Sequence, residues 1–425
     1  MRTNFSADQL KTPLIQLANN ILRRCVHCGF CNSTCPTYVL MGDELDGPRG
    51  RIAMIKGMLE RGGPASVKLA LRVDRCLSCL SCTSTCPSSV DYMHLVDKAR
   101  VRIEETHTRP LFDRLLRNVV ANLLPNPKMF RLALIGAWLV KPVARFLPGR
   151  LGAIAKLAPT RIPSPSSIDT PRVYPAQGVQ RKRVALMTGC AQKVLDPEIN
   201  EATVRLLTRH GCEVVVPSGG GCCGALVHHM GREADAASQA RANIEAWEQV
   251  ADLDAVVINA SGCGTVIKDY GFMFKDDDVW AERADKISGL AKDVTEVMAD
   301  LGIEKSPAAP KGRVTYHSAC SLQHGQKIRT QPVELLKAAG FDVNEPAEGH
   351  LCCGSAGTYN IFQSDISGRL LERKVKNLRQ TDPDMIAAGN IGCMVQLREG
   401  INVPVVHTVS LLDWATGGPK PDGIS

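Results

Sequence analysis

Cys25-Val-His-Cys28-Gly-Phe-Cys31-Asn-Ser-Thr-Cys35-Pro36 and Cys76-Leu-Ser-Cys79-Leu-Ser-Cys82-Thr-Ser-Thr-Cys86-Pro87 follow one spacing rule, CxxCxxCxxxCP. Two residues between successive cysteines let a tight loop present three thiolates to one face of a [4Fe–4S] cubane. The fourth corner is left to a distant ligand, and the proline turns the chain away. In paired runs of this spacing the fourth cysteine of each run serves the other cluster. The expected ligand sets are therefore Cys25, Cys28, Cys31 and Cys86 for cluster 1, and Cys76, Cys79, Cys82 and Cys35 for cluster 2. Zinc also takes CxxC pairs, but as two pairs across a long gap, not as a triplet followed by CP.

The insert between the runs contains PRGRIAMIKGMLERG and VKLALRVDRC, with apolar residues recurring at three and four, which predicts helices. The N-terminal part thus resembles the helical variety of two-cluster ferredoxin domain found in the iron–sulfur subunits of respiratory dehydrogenases.

Outward from these runs, 425 residues imply two to four domains. A chain that is 44% hydrophobic and 22% charged is composed like a globular protein. Seventeen cysteines in a chain that begins MRTNFSADQLKTP, with no apolar h-region, point to a reducing, cytoplasmic compartment where thiols bind metal or do redox chemistry. The net charge of +8 is not spread as a nucleic-acid footprint would be, so no nucleic-acid partner is expected. Ten basic residues (Arg109, Arg114, Arg117, Lys128, Arg131, Lys141, Arg145, Arg150, Lys156 and Arg161) face one acid, Asp113, in a single stretch. Apolar residues alternate with them at helical spacing. The longest unbroken apolar run, Leu132 to Val140, is too short to span a bilayer, which takes about 20 residues. Two readings stay open for residues 107–162: a basic amphipathic segment on an anionic membrane surface, or packing against the rest of the protein or a partner. The following RIPSPSSIDTPRVYPAQG is Pro- and Ser-rich, against a helix or central strand and for an exposed linker.

The remaining chain is duplicated. Cys190 to Cys222 and Cys320 to Cys352 are both 32 residues apart, and Cys223 to Cys263 and Cys353 to Cys393 both 40, with an offset of 130. The contexts match too: RVALMTGC with RVTYHSAC, GGGCCGALVHHMG with HLCCGSAGTYN, AVVINASGC with MIAAGNIGC. Short apolar β-rich runs (VALMTG, EVVVP, AVVINA) alternate with helical segments such as READAASQARANIEAWEQV. Each half is therefore expected to be a three-layer α/β unit with cysteines at strand ends. Adjacent side chains on a strand point oppositely, so the CCG pairs belong on loops, and Gly224 and Gly354 permit the turn. The expected domains are 1–106, helical with two clusters; 107–180, connector and linker; 181–305 and 306–425, the two α/β repeats.

These repeats resemble the cysteine-rich CCG domains of heterodisulfide reductases, anaerobic glycerol-3-phosphate dehydrogenase and lactate-utilisation proteins. The whole layout resembles the iron–sulfur subunits of bacterial glycolate oxidase. That resemblance implies an electron-transfer subunit without a catalytic residue of its own, membrane-associated on the inner face. It relays electrons from FAD-bearing flavoprotein subunits, which oxidise glycolate to glyoxylate, to a membrane quinone. In CCG domains with non-cubane clusters a fifth cysteine completes a C-terminal CxxC; here Val266 and Gln396 occupy that position. A four-thiolate iron–sulfur or zinc site, a thiol–disulfide role or a structural role stays open for Cys190, Cys222, Cys223 and Cys263, and for Cys320, Cys352, Cys353 and Cys393. His228, His229, His317 and His324 lie near these cysteines in sequence, where metal ligation, proton transfer to a quinone or simple packing all stay open, and the unpaired Cys212 reads as a small buried hydrophobe. A heterodisulfide-type reductase subunit, a lactate or glycerol-3-phosphate dehydrogenase subunit, or an assembly scaffold are the competing functions. The chain has no Rossmann fingerprint or P-loop.

Overall fold

The computed structural model describes residues 1–140 and 162–424. Its N-terminal part is built from helices and short turns. Pro13–Arg24, Pro48–Arg61, Val67–Asp74 and Tyr92–Thr106 close around a core that includes Leu22, Ile55, Val73, Val96 and Ile103. Pro13 and Pro48 each open a helix at the position where a missing N–H costs nothing. The insert between the cysteine runs supplies Pro48–Arg61 and Val67–Asp74, the latter capped by Ser66 Oγ accepting from the Leu69 N–H at 3.2 Å.

Two sheets follow. The first contains β1 (Arg172–Tyr174), β2 (Lys182–Met187), β3 (Cys212–Val216), β4 (Ala255–Ile258) and β5 (Ala291–Asp293), in the order β1-β3-β2-β4-β5. Only β1, from the Pro/Ser-rich stretch, runs antiparallel, and it sits at the edge, where strand pairing tolerates flanking prolines. The second contains β6 (Arg313–His317), β7 (Asp342–Asn344), β8 (Met385–Ala388) and β9 (Val405–His407), all parallel, in the order β7-β6-β8-β9.

The pleat sends Val184 and Leu186 to one core with Ile199, Leu206 and Val297, and Ala185 and Met187 to another with Trp247 and Tyr270. Both faces are covered, so the strands read as unbroken apolar runs. The first of these cores continues through Val314, Tyr316, Leu336 and Leu412, so the two repeats share it. The 130-residue offset holds at the level of single hydrogen bonds: Arg183 N–H donates to Asp254 at 2.7 Å, and Arg313 N–H to Asp384 at 2.8 Å. In each sheet the chain leaves a central strand, β2 or β6, first to one side and then to the other. This reversal makes a topological switch point, whose crevice lies at the carboxyl ends of the strands.

Helices Leu111–Leu123 and Pro127–Val140 form the described part of the connector. Val120 and Ala121 are buried, and Arg117 donates to the Met230 carbonyl of the first repeat at 3.1 Å. Other apolar residues face out: Leu111 is 75% exposed, Leu115 62% and Leu132 69%. The segment thus packs on the first repeat with one face and keeps an apolar stripe uncovered with another. Among the described residues no helix is long and apolar enough to cross a membrane. Lys141, Arg145, Arg150, Lys156 and Arg161 lie outside the described residues.

Candidate metal centres

In both cysteine runs the same two positions adopt left-handed backbone: His27 and Gly29 in the first, Ser78 and Leu80 in the second, with φ between 48° and 89°. Three of the four are not glycine, and for each this conformation costs about 1 kcal/mol or more and persists only where the surrounding structure holds it. Here it curls each loop so that backbone amides meet sulfur: the Ser78 and Ser81 N–H groups donate to Cys76 and Cys79. Concavities lined by such amides hold anions.

Two cavities result. One is lined by Cys25, Cys28, Cys31 and Cys86 with Pro48, Ile52 and Val90. The other is lined by Cys35, Cys76, Cys79 and Cys82 with Thr37, Arg51 and Leu77. Cys82 and Tyr92 border both, so the cavities share a wall. Each brings together the three leading cysteines of one run and the last cysteine of the other. Four convergent thiols around an apolar hollow are a donor set that fits a cubane.

The two cavities differ in exposure. Cys28 is exposed, flanked by Val26 and Phe30 at 68% and 63% exposure, whereas Cys76, Cys79 and Cys82 are buried. Around the buried set lie guanidiniums that spacing rules do not reveal. Arg51, 1% exposed, donates to Thr37 Oγ1 at 3.0 Å and to the Arg72 carbonyl at 2.7 Å, and points at Cys35 Sγ at 3.8 Å. Arg100 donates to the Cys76 carbonyl at 2.8 Å. Burial raises the Cys76 thiol pKa, but Arg51 and Arg100 outweigh it and hold the thiol below its usual range. Burial pushes Cys79 and Cys82 well up. Asp46, with no exposed surface, gathers Arg72, Arg75 at 3.0 Å and Arg51 at 3.8 Å, and its carbonyl accepts from Thr37 at 2.6 Å.

The repeat cysteines sit at the switch-point edge of each sheet. Cys190 follows β2, Cys222 and Cys223 follow β3, and Cys263 lies in the helix after β4; the second repeat places Cys320, Cys352, Cys353 and Cys393 likewise. Cys190 and Cys222 sulfurs are 3.6 Å apart, Cys320 and Cys352 sulfurs 3.8 Å, and Cys223 and Cys353 touch Cys263 and Cys393. Gly224 and Gly354 have φ of 89° and 96°, and a Cβ on Gly354 would lie 2.5 Å from the Ser367 carbonyl oxygen. Cys212 is fully buried in β3, among the core apolar residues.

The four histidines part company. His228 and His229 face Asp97 of the helical domain at 3.4 and 3.6 Å. His324 pairs with Ser84 at 2.9 Å, and only His317 joins the repeat cysteines. The second repeat also touches the buried cysteine set: Leu77 and Cys79 pack with Cys352, Tyr359, Ile366 and Leu370, and the Tyr359 hydroxyl donates to the Arg75 carbonyl at 2.9 Å.

One histidine outside the sequence reading, His94, clamps the helical domain to the first repeat. Its ring lies 2.5 Å from Asp91, 3.0 Å from Asp269, and stacks on Phe272 with ring centres 3.4 Å apart. Burial lowers its pKa, but Asp269 and Asp91 outweigh burial and push it up to about 9. A folded-state pKa above the unfolded value of about 6.5 gives stability that is fully present below pH 6.5 and lost as pH rises through about 9. The clamp is expected to contribute about 3 kcal/mol at most. Denaturant unfolding at pH 7 and pH 10 checks this: the wild type should lose more stability over that interval than His94→Gln does.

Residues 184–268 and 314–398 match the cysteine-rich CCG domain family, and residues 21–90 match the 4Fe-4S dicluster domain family. The glycolate oxidase iron-sulfur subunit of Escherichia coli (strain K12) is 37% identical over 418 residues, covering 98% of this chain and 99% of that one. The probable glycolate oxidase iron-sulfur subunit of Bacillus subtilis (strain 168) is 34% identical, covering 93% of this chain and 94% of its own. Lactate utilization protein A of the same organism is 29% identical over 238 residues, 54% of this chain and 99% of its own length. With a relative this similar from end to end, and the cysteine architecture in place, the chain belongs to the glycolate oxidase iron–sulfur subunit family, the electron-transferring iron–sulfur component of an oxidoreductase.

Proposed function

We propose that this chain carries electrons from a flavoprotein that oxidises a 2-hydroxy acid, glycolate, towards a membrane quinone. Cys25, Cys28, Cys31 and Cys86 hold one [4Fe–4S] cluster, and Cys76, Cys79, Cys82 and Cys35 the other. Each cluster supplies reversible one-electron chemistry when bound. The observation that carries the reading is the difference in access between two cysteine-lined cavities that share a wall. One opens at exposed Cys28 between the exposed apolar side chains Val26 and Phe30, a surface suited to an electron-donating or -accepting partner. The other has buried cysteines and packs through Leu77 and Cys79 against the second repeat, which supports entry at Cys28 and onward transfer to the inner cluster.

Glycolate is taken from the relatives' names, and a separate flavoprotein partner from the chain's own motifs, which include no dinucleotide-binding loop. The uncovered Leu111, Leu115 and Leu132, with Arg114 and Lys128 nearby in sequence, support a peripheral seat on an anionic membrane, where a quinone is at hand.

The test is reduction of the chain by substrate. Purified anaerobically with both ferredoxin-type clusters in place, it is expected to stay oxidised with glycolate alone and to be reduced when the flavoprotein of the native complex is added. Glycolate oxidation by the isolated chain, or no reduction in the complex, would overturn the reading.

A further inference from the structure

We propose that the second repeat, and not the first, holds a metal centre in which His317 is a ligand beside Cys353 and Cys393, with Cys352 and Cys320 adjoining. A ring nitrogen of His317 and the sulfurs of Cys353 and Cys393 all lie within 4.8 Å of one another. The Cys352 sulfur touches Cys353 and lies 3.8 Å from Cys320, so five donors converge at the carboxyl edge of β6 and β8. This deepens the relay reading by adding a site to it.

Two independent features set this site apart from its counterpart 130 residues earlier. First, His317 is 1% exposed, neither ring nitrogen has a nitrogen or oxygen hydrogen-bond partner, and the polar atom the ring meets is the Cys353 sulfur. A neutral imidazole offers one N–H and one lone-pair nitrogen, and burying either without a partner is costly. A metal would take the lone pair, leaving the N–H to a neighbouring sulfur. The first repeat has Met187 at this position, buried in the apolar core, and among the described residues no group of three close donors forms there.

Second, Lys374 is 2% exposed, its ammonium donating to the Glu348 carbonyl at 2.9 Å beside the cysteine set. The first repeat has buried Ile244 in its place. A buried ammonium is costly alone and is compensated by negative charge nearby, which metal-bound thiolates carry. As in the first repeat, which has Val266 there, the position of a fifth cysteine is filled by another residue: Gln396, whose amide donates to Ser367 Oγ at 3.0 Å. The fifth donor is supplied from the opposite end of the motif, by the last residue of β6.

Sulfur with imidazole suits a borderline transition metal: zinc as a single ion, or iron in an iron–sulfur group. The two sources separate by metal analysis. The full chain, purified anaerobically, is assayed for iron, zinc and sulfide, and its metal edges are read by X-ray absorption. His317→Met copies the residue that the first repeat accommodates, so folding should survive.

The wild type is expected to hold metal beyond the about eight iron atoms of the two ferredoxin-type clusters. His317→Met should lose that excess, whether zinc or iron, and keep the eight. His317→Cys should retain it with the nitrogen neighbour replaced by sulfur. Cys223→Ser, in the first repeat, should leave it unchanged. No excess in the wild type, full retention in His317→Met, or equal loss in Cys223→Ser would overturn the proposal. The relay reading fails by a different sign, a count below about eight iron atoms whatever becomes of His317.

Discussion

Cys86→Ala should cost the protein one cluster and spare the other, lowering its iron by about four atoms and abolishing electron delivery through the complex. The reason is the crossed geometry: Cys86 belongs by sequence to the second run but lines the cavity of Cys25, Cys28 and Cys31. The spectrum left behind should match that of Cys28→Ala, a first-run substitution. Cys35→Ala should in turn match Cys79→Ala, because Cys35 lines the cavity of the second run. Electron paramagnetic resonance of the dithionite-reduced variants makes the comparison. If Cys86→Ala instead matched Cys79→Ala, each run would be closing its own cluster and the crossed assignment would be wrong.

The second large effect is on stability. Asp46→Asn is expected to destabilise the chain by about 3–5 kcal/mol, the usual result of removing one partner from a buried ionic group. Asp46 is wholly buried and is the common counter-charge of Arg51, Arg72 and Arg75. Asparagine keeps the size and one acceptor but leaves the guanidiniums uncompensated. Arg51 and the Asp46 carbonyl both contact Thr37, two residues beyond Cys35, so the second cluster's pocket should loosen as well. Denaturant unfolding of the cluster-loaded protein measures the first effect, and the rate of iron loss to a chelator the second. A loss under about 1 kcal/mol would mean that the three arginines find other partners.

How much of this was legible beforehand depends on whether a feature leaves a local pattern. The cysteine spacings announce themselves because loop geometry around a cubane admits few lengths. The runs VALMTG, EVVVP and AVVINA fall on β2, β3 and β4 because strands buried on both faces have to be apolar throughout. Asp46, Arg51 and Arg100 leave no such trace: each stands in an ordinary charged helical or turn sequence, and only the tertiary contacts bring them to the cysteines. His94 is the same case, since Asp269 comes from 175 residues away. Lys374 was readable in principle. It interrupts the stripe Ile366, Leu370, Lys374, Leu378, whose spacing of four marks a buried helix face, and a lysine on such a face asks for a charge to answer it.

The unequal exposure of the two cysteine-lined cavities also bears on manufacture and upkeep in the cell. The pocket at Cys28 is reachable in the finished fold, so a cluster lost there to oxygen is replaceable in place. At the other pocket Leu77 and Cys79 are covered by Tyr359, Ile366 and Leu370, which come from the far end of the chain. Its cluster is expected to be inserted more readily before the second repeat docks, and to be renewed more slowly afterwards than the one at Cys28. Oxidative damage should therefore sort these molecules into a quickly mended class and a slowly mended one, according to which cluster was hit first.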